Sequence, residues 1–280
     1  MKIFTIILNW NSWWDTLKCL QSLQSLDCPQ TPLVIDNAST NDSVAKIREA
    51  FPSVELIESD VNLGFGGGCN LGISRALSRN ADFVWLLNND TTVDPGALTA
   101  LVAEMKKDAR TGAAGAAIYD MDRSEREQLW GGLRVRMNLG GVSPYRRQMP
   151  IARLDYIAGA CCLLRAEAIR AVGLFDEAFF MYWEDADLGF RLRQGGWKLA
   201  VAGDSRIWHK GCASLGRRST AHDIWNNRSA VRFFRRYARI PAIPLVLGGA
   251  YRIARRLALG DFRRIAAVAA GLAQGVGDSR

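Results

Sequence analysis

Short apolar runs alternate with amphipathic stretches through the first third of the chain. Ile3-Phe4-Thr5-Ile6-Ile7-Leu8 reads as a buried strand, and Ser12 to Leu26 has helical spacing with Leu17, Leu20 and Leu23 on one side. Leu33-Val34-Ile35 is a second strand ending at Asp36, and Ser43 to Phe51 a short helix with Val44 and Ile47 inward. Val54 to Ile57 is a third strand, Cys69 to Ser78 a helix, and Asp82 to Leu87 a fourth strand. Pro95-Gly96-Ala97 opens another helix that continues towards Lys107. The alternation predicts an α/β domain with a mostly parallel twisted sheet flanked by helices. Ligands of such sheets gather at the carboxyl ends of strands. Asn9-Trp10-Asn11, Asp36 and Asn88-Asn89-Asp90 all follow strands, which places them on one rim.

Further on, Ala113 to Tyr119 reads as a strand, and Asp120 to Arg153 as loops with a hairpin. Tyr156 to Leu164 is an apolar strand, Ala166 to Val172 and Glu184 to Gln194 are helices, and Trp197 to Ala202 is a strand leading to His209. From Ser219 the pattern is helical, with Ile224, Val231, Phe234 and Ala238 on one face and Arg228, Arg232, Arg235, Arg236 and Arg239 around it. Pro241 and Pro244 break that helix, and a second basic amphipathic segment runs from Leu245 to Leu272. The expected division is a domain over residues 1–213 and a basic helical tail over 214–280.

Charge sharpens that division. The chain of 280 residues carries a net +8, yet from Ser214 onward there are thirteen Arg, no Lys and three Asp, a net +10. The preceding 213 residues therefore carry about −2. The tail interleaves its Arg with Trp225, Phe233, Phe234 and Tyr237, which suits an anionic membrane surface better than nucleic acid; no nucleic-acid-reading module accompanies it. Its longest uncharged segment, Ile240 to Tyr251, is too short to span a bilayer. Tail–tail packing into a homodimer is the other use such a surface allows. None of the six Cys forms a C-x-x-C pair, which argues against zinc and fits a reduced, cytosolic compartment. The N-terminus enters the first strand with no signal-peptide pattern.

Two acidic clusters stand out. Asn88-Asn89-Asp90 ends the run Phe83 to Leu87, where a carboxylate can hold a metal; a plain Asx turn is the alternative. Glu184-Asp185-Ala186-Asp187 opens a helix after Phe179-Phe180-Met181-Tyr182-Trp183, and an aromatic wall would desolvate a carboxylate towards general-base duty. Acids favoured at any helix N-terminus are the simpler account. The glycine-rich run Asn62 to Gly72 lacks the P-loop and G-x-G-x-x-G spellings; it reads as a flexible turn before a helix or as a close backbone approach for a nucleotide. The first strand leads into Asn9-Trp10-Asn11, not a glycine loop, which disfavours an NAD-binding Rossmann domain.

Taken in order, four segments resemble the family 2 glycosyltransferases of the GT-A fold, within them the bacterial rhamnosyltransferase-like group. They are Val34 to Ser43 ("VDNASTDGS"), Asn62 to Gly72 ("NxGFAGGNNxGI"), Leu86 to Thr91 (the "LNND" form of the DxD motif) and Phe179 to Leu188 ("FFMYxEDxDL"). The resemblance runs from Thr5 to about Arg239 and implies an inverting glycosyltransferase with a nucleotide-sugar donor and a divalent metal, Mg or Mn. By position it implies that Asp36, Asn9, Asn11, Asn62, Gly64, Gly68, Asn88 and Asn89 line the nucleotide site. Asp90 and His209 would hold the metal, with Asn88 standing where a full DxD has an acid. Asp185 would be the catalytic base with Glu184 as the alternative, and Gly159, Ala160 and Trp183 would border the acceptor. The group implies L-rhamnose from dTDP-L-rhamnose and a glycan or polyprenyl-diphosphate-linked acceptor, in cell-wall or surface-polysaccharide assembly at the inner face of the membrane. Related enzymes use UDP-galactofuranose, UDP-hexoses or GDP-sugars. A non-catalytic nucleotide-sugar or glycan binder is the rival that Asn88 keeps open.

Overall fold

The computed structural model describes residues 1–211 and 219–278; Cys212 and the expected 213/214 boundary lie outside them. In chain order the first half contains β1 (Ile3–Asn9), α1 (Trp13–Leu23), β2 (Thr31–Asp36), α2 (Ser43–Ala50), β3 (Glu55–Glu58), α3 (Gly64–Ser78), β4 (Phe83–Asn88), β5 (Thr91–Val93) and α4 (Ala97–Lys106). Then come β6 (Thr111–Asp120), β7 (Glu127–Trp130), β8 (Gly132–Arg136), β9 (Gly141–Pro144), β10 (Tyr156–Ile157), β11 (Cys161–Arg165), α5 (Ala166–Val172), α6 (Glu184–Gln194) and β12 (Lys198–His209). Helices α7 (Thr220–Tyr237), α8 (Ala242–Ala258) and α9 (Phe262–Gly277) close the chain.

The main sheet has the order β3-β2-β1-β4-β11-β6-β12-β5, with β7 added on β6. Strands β3, β2, β1 and β4 are parallel, and their buried faces explain the near-continuous apolar runs. The chain winds outward from β1 to β3 and then returns to the other side of β1 with β4. The switch point therefore lies at the carboxyl ends of β1 and β4, where Asn9 is level with Asp36 and Leu8 with Asn88. At the far edge β12 pairs antiparallel with β5, setting His209 opposite Thr91.

Three elements differ from the sequence reading. Helix α3 starts at Gly64, not Cys69, because the glycines let it lie directly on its neighbours. A Cβ at Gly68 would meet Leu8 Cδ1 at 2.5 Å, and one at Gly72 would meet Ile6 Cγ2 at 2.6 Å. Close packing on β1 overrides glycine's poor helix propensity. The expected strand Tyr156 to Leu164 is two strands: β10 pairs with β8 in a separate three-stranded sheet with β9, and β11 joins the main sheet after a turn at Ala158 to Ala160. The segment Leu245 to Leu272 is two helices, divided at Gly260, whose φ of 66° suits only glycine well.

Helix α7 packs on the segment that leads into α6. Its Phe233 and Phe234 are fully buried and share a cluster with Tyr156, Phe179, Trp183 and Ala186. Its other side carries Asp223, whose carboxylate receives Arg256 at 2.6 Å and Arg264 at 2.7 Å. Part of the tail's basic charge is therefore spent joining α7, α8 and α9. Among the described residues no helix is long and apolar enough to cross a membrane.

Candidate active site

Strand ends β1, β2 and β4 feed one continuous hydrogen-bond network. Asp36 is buried; its Oδ1 accepts from Asn9 Nδ2 and Ser39 Oγ, both at 2.7 Å, and its Oδ2 from the Ser39 N–H at 2.9 Å. Asn9 Oδ1 accepts from Thr16 Oγ1 at 2.8 Å, and Thr16 Oγ1 accepts from Asn89 Nδ2 at 3.1 Å. The chain Asp36–Asn9–Thr16–Asn89 thus runs from the predicted nucleoside corner to the residue beside Asp90. Asn11, held at φ 54°, bonds the 39–41 loop through its N–H to Ser39 Oγ and its Oδ1 to the Thr40 N–H. Asn62 Oδ1 accepts from the Gly64 N–H and from Asn37 Nδ2. These buried polar groups are largely satisfied by one another, so the loops are rigid before any ligand arrives.

Asn88, Asp90 and His209 form the next corner. His209 Nε2 lies 3.2 Å from Asp90 Oδ1 and 3.4 Å from the Asn88 amide. His209 Nδ1 is 3.3 Å from Gln128 Oε1, and Gln128 Nε2 donates to the His209 carbonyl at 2.7 Å. An amide oxygen only accepts, so Nδ1 donates to Gln128, and in the neutral ring Nε2 would present a lone pair beside Asp90. A lone pair facing a carboxylate is the pattern a divalent cation resolves, with Gln128 fixing the ring from behind. Among the described residues no group of three or more His, Cys, Asp and Glu is present to hold a metal. One carboxylate and one imidazole would suit Mg or Mn that takes its remaining ligands from a bound diphosphate; Asn88 turns its Nδ2 to the ring and would add an oxygen ligand only with the amide reversed. Lys210 stands beside this corner, its N–H bonded to the Asp90 carbonyl and its ammonium 3.2 Å from both oxygens of buried Asp15.

The turn after β10 joins this corner to the acids of α6. The Asn88 N–H donates to the Ala160 carbonyl at 3.0 Å, and the Gly159 N–H reaches Asp185 Oδ2 at 3.3 Å. The two acids of α6 behave differently. Burial pushes the Asp185 carboxyl up to about 6, while the Gly159 and Ala186 N–H groups pull it back down. Asp185 keeps part of its surface open. Glu184 is buried, its Oε2 has no hydrogen-bond partner, and burial followed by the neighbouring Asp185 charge raises it well above the carboxylate range. Glu184 is enclosed and Asp185 partly open, so of the two Asp185 is the one an incoming hydroxyl could reach.

Other expected site residues face protein. Trp183 is buried, its ring tilted against Phe233 and edge-on to Phe234, with Nε1 donating to Asn226 Oδ1. Its ring faces α7. A Cβ at Gly64 would collide with the Phe180 carbonyl, and Gly68 lies against Leu8, so both glycines serve packing.

Helix α7 builds the turn that presents Asp185. Tyr182 and Trp183 have φ of 66° and 70°, consecutive left-handed residues that cost of order 1–3 kcal/mol each. Phe180 stacks on Trp225 at 4.3 Å, and Tyr182 packs on His222 at 4.8 Å. Fully buried Asp187 accepts from Arg236 at 2.6 Å, Tyr237 at 2.8 Å and Arg191 at 2.7 Å. Asp187 is therefore the anchor of the acidic motif. Gln128 and Thr16 were not singled out in the sequence, because nothing local marks them; Trp225, Phe233, Phe234, Arg236 and Tyr237 of α7 stood out only as a basic, aromatic surface and not as support for the acidic motif. Asn37 and Ser39 were readable, since they follow Asp36 directly in a matched segment.

The sequence model for Glycosyl transferase family 2 matches residues 5–173. The N-acetylglucosaminyl-diphospho-decaprenol L-rhamnosyltransferase of Mycobacterium tuberculosis is 31% identical over 228 residues, 73% of this chain and 74% of that protein. A poly-beta-1,6-N-acetyl-D-glucosamine synthase of Staphylococcus epidermidis is 22% identical over 74% of this chain and 52% of its own length. In solved structures, a mannosyltransferase of Pyrobaculum calidifontis in complex with GDP-Man and Mn2+ superposes with a TM-score of 0.60 at 17% identity, covering 99% of this chain and 75% of that one. GalNAc-T7 with UDP, GalNAc and Mn2+ gives 0.69 at 16%, covering 95% and 54%. The fold is that of the GT-A glycosyltransferases. This chain belongs to glycosyltransferase family 2 and is a glycosyltransferase of the rhamnosyltransferase-like kind.

Proposed function

We propose that this chain transfers L-rhamnose from dTDP-L-rhamnose, with inversion, to a hydroxyl of a polyprenyl-diphosphate-linked amino sugar in cell-wall or surface-polysaccharide assembly. The observation that carries the reading is the similarity to the mycobacterial L-rhamnosyltransferase across about three-quarters of both chains. The site is consistent with it. The network around Asp36, Asn9 and Asn11 receives the nucleoside. Asp90 and His209 would hold a divalent cation, which when bound offsets charge on the diphosphate. The Asp185 carboxylate accepts the acceptor hydroxyl's proton as that oxygen bonds to the anomeric carbon from the side opposite the diphosphate. The bond from that carbon to the diphosphate oxygen breaks, and its electron pair leaves with the nucleoside diphosphate. Gly159 and Ala160 border the space in which the hydroxyl sits. Buried Glu184 stays protonated beneath Asp185 and spares it a second negative charge. The acceptor's polyprenyl chain holds it in a bilayer, and the enzyme works at the cytoplasmic face as a peripheral protein.

The test is transfer to a lipid-linked N-acetylglucosaminyl diphosphate, followed by mass spectrometry of the product, with dTDP-L-rhamnose, UDP-hexoses, UDP-galactofuranose and GDP-sugars offered in parallel. Rhamnosyl product that disappears with a chelator and in Asp185→Asn supports the whole reading. Product from another donor alone keeps the transferase and discards rhamnose. Donor binding without turnover under any condition leaves the non-catalytic binder.

A further inference from the structure

The described surface concentrates exposed large apolar side chains on α8 and on the tip of the β8–β9 hairpin. On α8, Ile243, Val246, Leu247, Tyr251 and Leu257 are exposed, Val246 and Tyr251 by about two-thirds (66% and 67%). Their spacing keeps them on one helical stripe, away from the buried Gly248, Gly249 and Arg256. The hairpin, about a hundred residues earlier, exposes Leu139 and Val142. Glycines lock the two elements together. A Cβ on Gly140 would strike the Pro244 carbonyl, one on Gly248 would lie 2.6 Å from the Gly140 carbonyl oxygen, and Arg252 Nη1 donates to that oxygen at 2.7 Å. Leu139 is therefore held next to the α8 contact.

The charge around these side chains has one sign. Residues 132–153 contain five Arg and no acid, of which Arg147 is paired with Glu127, and residues 242–258 contain three Arg and no acid, of which Arg256 turns inward to Asp223. Arg136, Arg146, Arg239 and Arg255 are exposed. Arg252 sits between the two elements with Nε and Nη2 lacking hydrogen-bond partners; burial lowers its guanidinium only to about 10, so a further positive charge lies beneath the face. An apolar stripe bordered by unopposed Arg matches an anionic lipid surface, where apolar side chains enter the headgroup boundary and cations meet phosphate. An apolar contact between two copies would instead bring these like charges together.

We propose that the hairpin tip and α8 form one composite docking face for an anionic bilayer. The idea narrows the membrane surface expected for the whole tail. Helix α7 is excluded because it is packed on the catalytic turn, and Arg256 and Arg264 are excluded because they point inward to Asp223. The hairpin, which carries no tail residue, is included. The lipid-linked acceptor proposed above gives such a face its purpose, but the test uses neither donor nor acceptor, so each reading can fail alone.

The full chain is sedimented with vesicles of phosphatidylcholine and with vesicles of equal parts phosphatidylcholine and phosphatidylglycerol. Binding is expected only to the anionic vesicles, weakening at about 0.5 M salt. Leu247→Asp and Leu139→Asp are each expected to lower partitioning about tenfold, since each places a carboxylate at the lipid boundary. Tyr251→Ser serves as a milder variant, and unchanged melting temperatures show that these exposed positions leave the fold intact. Wild-type protein that ignores anionic vesicles would overturn the proposal. Leu139→Asp that binds as wild type would overturn the composite face and leave a tail-only surface. A dimer in sedimentation velocity that Leu247→Asp dissociates, with no vesicle binding, would assign the face to a second copy.

Discussion

Replacing Asp185 with Asn should abolish transfer and stabilise the protein at the same time. Burial pushes the Asp185 carboxyl from 3.8 to about 6 in the folded state. That is about two pH units at about 1.4 kcal/mol each, so ionising Asp185 in the fold costs at most about 3 kcal/mol relative to the unfolded chain. Part of the carboxyl is open to water, which reduces this to about 1–2 kcal/mol. The sign follows from proton binding. Between about pH 4 and pH 6 the folded chain keeps a proton that the unfolded chain has released, so stability falls as pH rises through that window and the loss is complete above it. An amide cannot ionise, and its oxygen can still accept from the Gly159 or Ala186 N–H. Asp185→Asn is therefore expected to melt about 2–3 °C above wild type near pH 8, and level with it near pH 4. Differential scanning calorimetry at both pH values measures this. The comparison cancels any packing effect common to both. In the transfer assay the same variant should lose about two to four orders of magnitude in turnover. Wild-type kcat/KM should fall as pH drops below about 6, where the base becomes protonated. An equal melting shift at both pH values, or a lower melting point near pH 8, would refute the argument that burial of a charge sets the character of this residue.

Three further outcomes are expected. Glu184→Gln exchanges a neutral acid for a neutral amide in an enclosed site, so turnover should stay within about threefold and stability within about 1 kcal/mol; a loss as deep as that of Asp185→Asn would transfer the base to Glu184. Gln128→Ala frees the His209 ring, and titration of the metal should show affinity, read with the donor bound, weakened about 10–100-fold. Arg236→Ala removes one of three donors from buried Asp187. With Arg191 and Tyr237 still in place, denaturant unfolding should show a loss of about 1–3 kcal/mol, below the cost of stripping a buried pair entirely. The loosened turn should lower kcat and leave donor KM unchanged, whereas a defect in KM alone would detach Arg236 from the base.

The alternation of strand and helix, the polar residues at strand ends and the order of the motifs were all legible in the sequence, because each depends on spacing along the chain. Runs such as Ile3 to Leu8 and Phe83 to Leu87 have to be buried on both faces, and a parallel sheet follows. The motif acids were legible as candidates, since polar residues at strand ends and helix starts stand out against their apolar surroundings. Which of them do chemistry was not. Glu184 and Asp185 are neighbours with the same local pattern, and only the packing of α3 and the Gly159 turn encloses one and leaves the other open. Trp183 reads as an aromatic wall beside the acids, yet two consecutive left-handed residues turn it onto α7. Gln128 comes from a stretch without readable periodicity and reaches His209 only through the pairing of β7 on β6. The tail's positive charge was legible, but its distribution was not. Asp223 draws Arg256 and Arg264 inward, while the glycine contact between Gly140 and Gly248 places an earlier hairpin beside α8. Spacing reports which faces a segment has. Burial, the orientation of each face and the character of a carboxyl are set by residues far away in the chain, and these only the tertiary structure decided.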